Sequence, residues 1–193
     1  MGSALLIDFD GVLRRWDTGV ATEVERRYSL APGILRDTLF EPELVRAASL
    51  GEITDAEWVA TVAARIGVPE AVTEWAAYRG ELDPQVLAFA REVHAAGIPV
   101  VLATNATDRL DADLALLGLS AEFPVANSSL LRVAKPSREF YLAASDLAGT
   151  APGSCLFVDD TELNVAGARA AGLRAHRWTG PADIPHLRQI LVG

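Results

Sequence analysis

The sequence predicts an α/β protein, a three-layer sandwich around a central parallel sheet with an all-helical subdomain inserted near its N-terminus. Three observations carry this. Short apolar runs at residues 4–7, 98–103 and 155–158 read as strands buried on both faces. Helical segments separate the later strands, the alternation that builds a parallel sheet through right-handed crossovers. After Asp17 lies a stretch, to about Arg79, that reads as helices with no convincing strand and is too long for a strand-to-helix loop.

The elements follow in order. The run Ala4-Leu5-Leu6-Ile7 leads into Asp8, Phe9, Asp10 and Gly11. Asp8 and Asp10 are two residues apart, so in extended backbone both side chains leave the same side, and Gly11 permits a sharp turn beyond them. Two like charges ending a buried strand require a cation or a proton; the same residues also suit a surface turn. In Arg14, Arg15 and Trp16 the arginines are expected to be solvated, while Trp16, Trp58 and Trp75 join helices of the insert to one another or to the core. Pro32, Pro42 and Pro69 fall where helices begin. The clearest helix of the insert opens on a capping box, Thr54-Asp55-Ala56-Glu57, carries Trp58, Val59, Val62 and Ile66 at helical spacing and stops at Gly67. Residues 70–79 place Val72, Trp75 and Ala76 on one face. Tyr28 and Phe40 are expected in the insert's core, Arg26 and Arg27 on an exposed face.

From Leu82 the pattern changes. Asp83 caps a helix that has Pro84 in its first turn and ends before Gly97, and a strand follows at 98–103. Thr107 is expected to cap the next helix, which ends at Gly118. A short strand is expected at 123–125, a helix at 137–148, a strand at 155–158, a helix at 161–171 stopped by Gly172, and a strand at 173–176. The core then comprises residues 1–13 and 81–193, and the helical insert residues 14–80. In such a sheet, ligands bind outside the carboxyl ends of the strands.

Composition narrows the partners. A net charge of −9 argues against a nucleic-acid backbone or an anionic membrane as a steady partner. The N-terminal apolar run is short, lacks a basic flank and ends in Asp8, which does not describe a signal peptide, and no stretch is long enough for a membrane span. A cytoplasmic monomer or homodimer is expected, with the single cysteine, Cys155, as a small core residue. His94, His176 and His186 are scattered without ligand spacing. Of 17 basic residues only Lys135 is a lysine, so its neighbourhood matters.

The polar residues that close these strands form one set: Asp8 and Asp10, Thr104 and Asn105, Lys135 before a helix, and Asp159 with Asp160. All project from one edge of the sheet. Carboxylates about 5 Å apart repel by roughly 3 kcal/mol per pair at an effective dielectric near 20. A divalent cation is the natural remedy, and carboxylate and carbonyl donors without clustered His or Cys favour Mg²⁺ over zinc. Thr104, the backbone after it and Lys135 offer donors and positive charge to an anion beside the metal. A metal, an anion cradle and a carboxylate nucleophile describe phosphoryl transfer.

Four segments in this order, Leu5-Leu6-Ile7-Asp8-Phe9-Asp10-Gly11-Val12, Val101-Leu102-Ala103-Thr104-Asn105, Lys135-Pro136 and Leu156-Phe157-Val158-Asp159-Asp160, resemble the motifs of haloacid dehalogenase-like (HAD) superfamily hydrolases. The insert after strand one resembles the members with a helical cap of the C1 type. The resemblance implies a Rossmann-like core and a Mg²⁺-dependent phosphatase acting on a small phosphorylated metabolite. By it, Asp8 attacks phosphorus to form an aspartyl-phosphate, and Asp10 protonates the leaving oxygen and then activates water. Asp8, the backbone carbonyl of Asp10 and Asp159 hold Mg²⁺, with Asp160 acting through a water or from behind the ligands. Thr104 and the Asn105 amide bind phosphoryl oxygens, and Lys135 neutralises charge on Asp8 and the transferred group. Asn164 either orients Asp160 or is a local structural residue. Alternatives are a dehalogenase-type hydrolase and a non-catalytic phospho-acceptor or binding domain. Asp10 counts against the first, because carbon–halogen cleavage leaves no alkoxide to protonate, and the long helical insert and paired Asp159-Asp160 count against a receiver-like domain.

Overall fold

In the computed structural model, which describes residues 3–191, Ala4–Ile7 (β1) is the middle strand of the sheet, and all four residues are buried. The chain continues through Arg14–Arg15 (β2) into five helices, Gly19–Arg27 (α1), Ile34–Leu39 (α2), Pro42–Ser49 (α3), Asp55–Ile66 (α4) and Pro69–Ala77 (α5). It returns at Glu81–Leu82 (β3). The remainder alternates: Pro84–Ala95 (α6), Val100–Thr104 (β4), Leu110–Leu116 (α7), Val125–Asn127 (β5), Ser128–Leu131 (α8), Arg138–Leu147 (α9), Cys155–Asp159 (β6), Glu162–Ala170 (α10), Arg174–Arg177 (β7) and Ile184–Leu191 (α11).

The five long strands form one parallel sheet in the order β5-β4-β1-β6-β7. Leu6 stands opposite Val101 on one side and Phe157 on the other, so the apolar runs are in register. Alternation along β1 sends Leu5 and Ile7 to one face, where they meet Phe89 of α6, Leu114 of α7 and Leu187 of α11. Ala4 and Leu6 face the other layer, with Phe140 and Tyr141 of α9 and Ala168 of α10. Cys155 lies in this second cluster as a buried free thiol. No helix among the described residues is long and apolar enough to cross a membrane.

The insert has a core of its own, to which each of its helices contributes: Val24, Leu35 and Leu39, Leu44, Val62, Ala71 and Val72. Trp58 and Trp75 pack edge to face at 6.1 Å, and the Trp58 indole donates to the Leu39 carbonyl, so these two rings do join insert helices. The capping box of α4 forms as its spacing predicts: Thr54 Oγ1 accepts from the Glu57 amide, and Glu57 accepts from the Thr54 amide at 2.8 Å. Thr54→Ala removes the cap and is expected to cost about 1 kcal/mol, read as a lowered midpoint in thermal denaturation.

At the neck of the insert Arg14 and Arg15 pair antiparallel with Leu82 and Glu81, a ribbon whose two residues a side are too few to carry a period. Three expectations need correction. Thr107 does not cap α7, whose N-cap is Arg109; its hydroxyl donates to Asp55 of the insert at 2.9 Å. The short strand starts at Val125 instead of Phe123, since Phe123 turns into the core and Pro124 gives the ladder only its carbonyl, to the Leu102 amide. Phe40, at the C-terminal end of α2, is 59% exposed and lies outside the insert's core, whereas Tyr28 packs against that core.

Candidate active site

Parallel strands all end on the same edge, and there the chain places its carboxylates. The Asp8 amide continues the ladder to the Val158 carbonyl at 2.9 Å, which sets Asp8 beside the end of β6, where Asp159 is fully buried. Ligand oxygens of Asp8, Asp159 and Asp160 lie within 4.8 Å of one another. Lys135 enters from the loop before α9, and its ammonium sits 2.8 Å from Asp8 Oδ1 and 2.6 Å from Asp159 Oδ2. Its side chain is almost wholly buried.

One ammonium among three carboxylates leaves two negative charges without a partner. The titration of the pair reflects this shortage. Burial, with Asp159 adding to it, pushes the Asp8 carboxyl up to about 7 against the pull of Lys135. Burial also pulls the Lys135 ammonium down, but Asp8 and Asp159 together outweigh it and the net shift is upward. The donor set is all oxygen, and the charge shortfall matches one divalent cation, so these residues fit Mg²⁺.

Neighbouring side chains hold the cluster. Asp159 accepts from the Thr161 amide at 2.8 Å and takes Asn164 Nδ2 on both oxygens at 3.1 Å, so Asn164 orients Asp159 and not Asp160. Asn105 grips the backbone of Lys135 at two points, Nδ2 to the carbonyl at 3.0 Å and Oδ1 from the amide at 2.8 Å. That occupies the Asn105 side chain. Gly167 of α10 packs so closely on this loop that a Cβ would lie 2.7 Å from Pro136 Cβ. Gly11, at φ +95°, does the same beside Asp160, where a Cβ would meet Oδ2 at 2.3 Å. Thr104 Oγ1 is buried without a hydrogen-bond partner among the described residues, an open donor at the end of β4.

Asp10 stands apart. Its carboxylate is not in the cluster but turns toward the insert, where Arg14 Nε and Nη2 reach it at 2.6 and 3.0 Å and the Trp16 indole donates to Oδ1 at 2.6 Å. Arg14 is therefore not solvated, as its sequence context suggests, but 4% exposed, stacked between the rings of Phe9 and Trp16 at 4.5 Å from each. Its third contact is Asp113 Oδ2 at 2.9 Å, 99 residues away. Arg15, in contrast, is exposed.

Above this edge a cavity of about 550 Å³ separates core from insert. Asp10, Gly11, Asn105 and Asp160 line one end, and Trp16, Phe40, Trp58, Trp75 and Tyr78 stand along its walls. The insert is fastened over it at several points. Asp55 accepts from Thr107 and pairs with Arg109 at 3.4 Å, the Asp55 amide donates to Asp108 at 2.7 Å, and Ser128 Oγ donates to the Ser49 carbonyl at 2.6 Å.

Comparison with known proteins agrees with this layout. Hexitol phosphatase A of Escherichia coli (strain K12) is 29% identical to the chain over 108 residues, 55% of this chain and 50% of that protein. The match thus spans about half the length of the curated relative. A HAD family enzyme of Bacteroides thetaiotaomicron, crystallised with magnesium and inorganic phosphate, shares the fold with a TM-score of 0.80 at 21% identity over 97% of this chain and 99% of that one. An L-2-haloacid dehalogenase of Xanthobacter autotrophicus does so with a TM-score of 0.67 at 24% identity over 100% and 84%. A family model described as haloacid dehalogenase-like hydrolase matches residues 3–172, from the strand that delivers Asp8 to the end of the helix that braces Asp159, and the chain belongs to that family.

Proposed function

We propose that the protein is a Mg²⁺-dependent phosphatase of small phosphorylated metabolites, with Asp8 as nucleophile. The observation that carries this is the cluster itself: three carboxylates converge, two of them on one ammonium, at the sheet edge where the buried Thr104 hydroxyl has no partner among the described residues. The hexitol phosphatase relative and the magnesium–phosphate complex of the structural neighbour support it.

In this reading Asp8, Asp159 and the Asp10 carbonyl hold Mg²⁺, with Asp160 beside them. When bound, the ion offsets the excess negative charge and shields the phosphoryl group from Asp8. The Phe9 amide and Lys135 both contact Asp8 Oδ1, which leaves Oδ2 to attack phosphorus. As the new P–O bond forms, the ester P–O bond breaks and the departing alkoxide takes a proton from Asp10. Of that carboxyl, Oδ2 is held by the longer Arg14 contact alone and is the oxygen free for proton transfer. Water then attacks phosphorus, gives its proton to Asp10 and releases Asp8 with inorganic phosphate. Thr104, the Asn105 amide and Lys135 bind the phosphoryl oxygens. The insert, residues 14–80, serves as a cap that keeps bulk water from the intermediate.

Purified protein is expected to hydrolyse phosphate monoesters with Mg²⁺ and to lose that turnover with chelator and in Asp8→Asn. Absence of turnover on every monoester, or halide release from 2-haloacids in its place, would overturn the reading.

A further inference from the structure

The polar side chains along the cavity are mostly committed to one another. Arg14 is held by Asp10 and Asp113, Thr107 and Arg109 by Asp55, and the Tyr78 hydroxyl by the Asp17 amide. Arg79 Nε lies 3.1 Å from Asp113 Oδ1, an ionic contact without hydrogen-bond alignment. Of the aromatic surface, Trp16 is covered in part by Arg14 and Tyr78 and donates its indole N–H to Asp10, whereas the Phe40 ring is open. Phe40 is 59% exposed and Trp16 38% exposed, and both face the same cavity. An exposed phenyl ring at the end of a helix contributes nothing to that helix's own core, so its apolar face is left for something else. Arg36, four residues earlier on the same helical face, adds a guanidinium with no ion pair among the described residues, a group that stacks readily on aromatic rings.

A leaving group rich in hydroxyls would find the Arg36 guanidinium and the Tyr78 hydroxyl proton as its free partners, fewer than its hydroxyls need. Each hydroxyl buried without a hydrogen bond costs about tenfold in affinity. A flat ring would instead cover Phe40 and the exposed part of Trp16, whose indole reaches Asp10, while the phosphoryl group meets Asn105 and Asp160. The volume lies within the range of about 300–1,000 Å³ typical of small-molecule sites. We infer that the substrate is a phosphate monoester whose leaving group carries an aromatic or heteroaromatic ring, seated against Phe40 and Trp16, and not a polyol phosphate. The inference rests on the phosphatase reading for its anchor and goes beyond it in naming the leaving group.

The test compares a phenylalkyl phosphate with a hexitol phosphate. Both release a primary alkoxide, so intrinsic reactivity does not bias the result. The phenylalkyl ester is expected to have a kcat/KM about tenfold higher or more, and Phe40→Ala to raise its KM about 5- to 10-fold with kcat held. Equal or better use of the hexitol ester, or an unchanged KM in Phe40→Ala, would overturn the inference. Calorimetric titration of Asp8→Asn with the matching non-hydrolysable phosphonates separates this from the phosphatase reading. Should no ester turn over while the phenylalkyl phosphonate binds about tenfold tighter than the hexityl one, hydrolysis fails and the ring site stands. Equal binding of the two removes the ring site whatever the turnover.

Discussion

Asp8→Asn is expected to lower kcat by about four orders of magnitude or more, because it removes the attacking oxygen and leaves the rest of the site in place. Its effect on stability should run the other way. Asn keeps the shape of Asp8 and still offers an oxygen to the Phe9 amide and to Lys135, which contact Oδ1 in the parent. What disappears is one of the two carboxylates that share the Lys135 ammonium, in a cluster of three. In chelator the variant should therefore melt at or above the parent's temperature, and added Mg²⁺ should raise its midpoint less than it raises the parent's. Thermal denaturation with and without Mg²⁺, run beside steady-state kinetics, reads both. A variant that keeps more than about 1% of parental kcat would remove Asp8 from the nucleophile's place.

Lys135→Met should abolish turnover as well, with the opposite sign on stability. The side chain is buried and, among the described residues, its ammonium is the only cation touching Asp8 and Asp159, so its removal leaves two desolvated carboxylates without a counter-charge. Breaking a buried pair from one side costs about 3–5 kcal/mol. Chemical denaturation in chelator should show a loss of that order, and saturating Mg²⁺ should restore part of it by supplying charge to the same oxygens. A Met variant as stable as the parent without metal would mean that the carboxylates are already compensated by another route. The two substitutions share one activity loss and differ in stability, which separates the nucleophile from its counter-ion.

How far the site was legible follows from how far apart its contacts lie in the chain. Asp8, Thr104, Lys135 and Asp159 each end a strand or open a helix, so short local patterns place them on one edge of a parallel sheet. The solitary lysine is a compositional signal readable without coordinates, and the structure puts Lys135 between two carboxylates. Arg14 was misjudged because its buried anchor, Asp113, lies 99 residues away on a helix that no local pattern ties to it. Thr107 reads as a cap for the same reason, since its partner Asp55 belongs to the insert. Phe40 shows a different limit: an apolar residue at helical spacing suggests burial, and whether it faces the insert's core or the cavity depends on where the helix turns at its end. Asn164 reads from the sequence as orienting Asp160 or as a local structural residue near a helix start, and coordinates are needed to see that Nδ2 reaches both oxygens of Asp159 instead.

The ribbon of β2 and β3 has a topological consequence. Because Arg15 stands opposite Glu81, the chain leaves the α/β core and re-enters it through neighbouring residues, about 5 Å apart as antiparallel partners are. The insert is a loop pinched at its neck, with its hydrophobic residues gathered inside that loop. The sheet's register is thus indifferent to what lies beyond the neck. Residues 16–80 form a cassette: a two-residue turn can join Arg15 to Glu81, or another helical segment can be spliced there, without moving Asp8, Lys135 or Asp159. The cavity's aromatic wall travels with that cassette, so a graft across this one junction exchanges the wall together with Trp16, the one cassette residue that donates to Asp10 among the described residues.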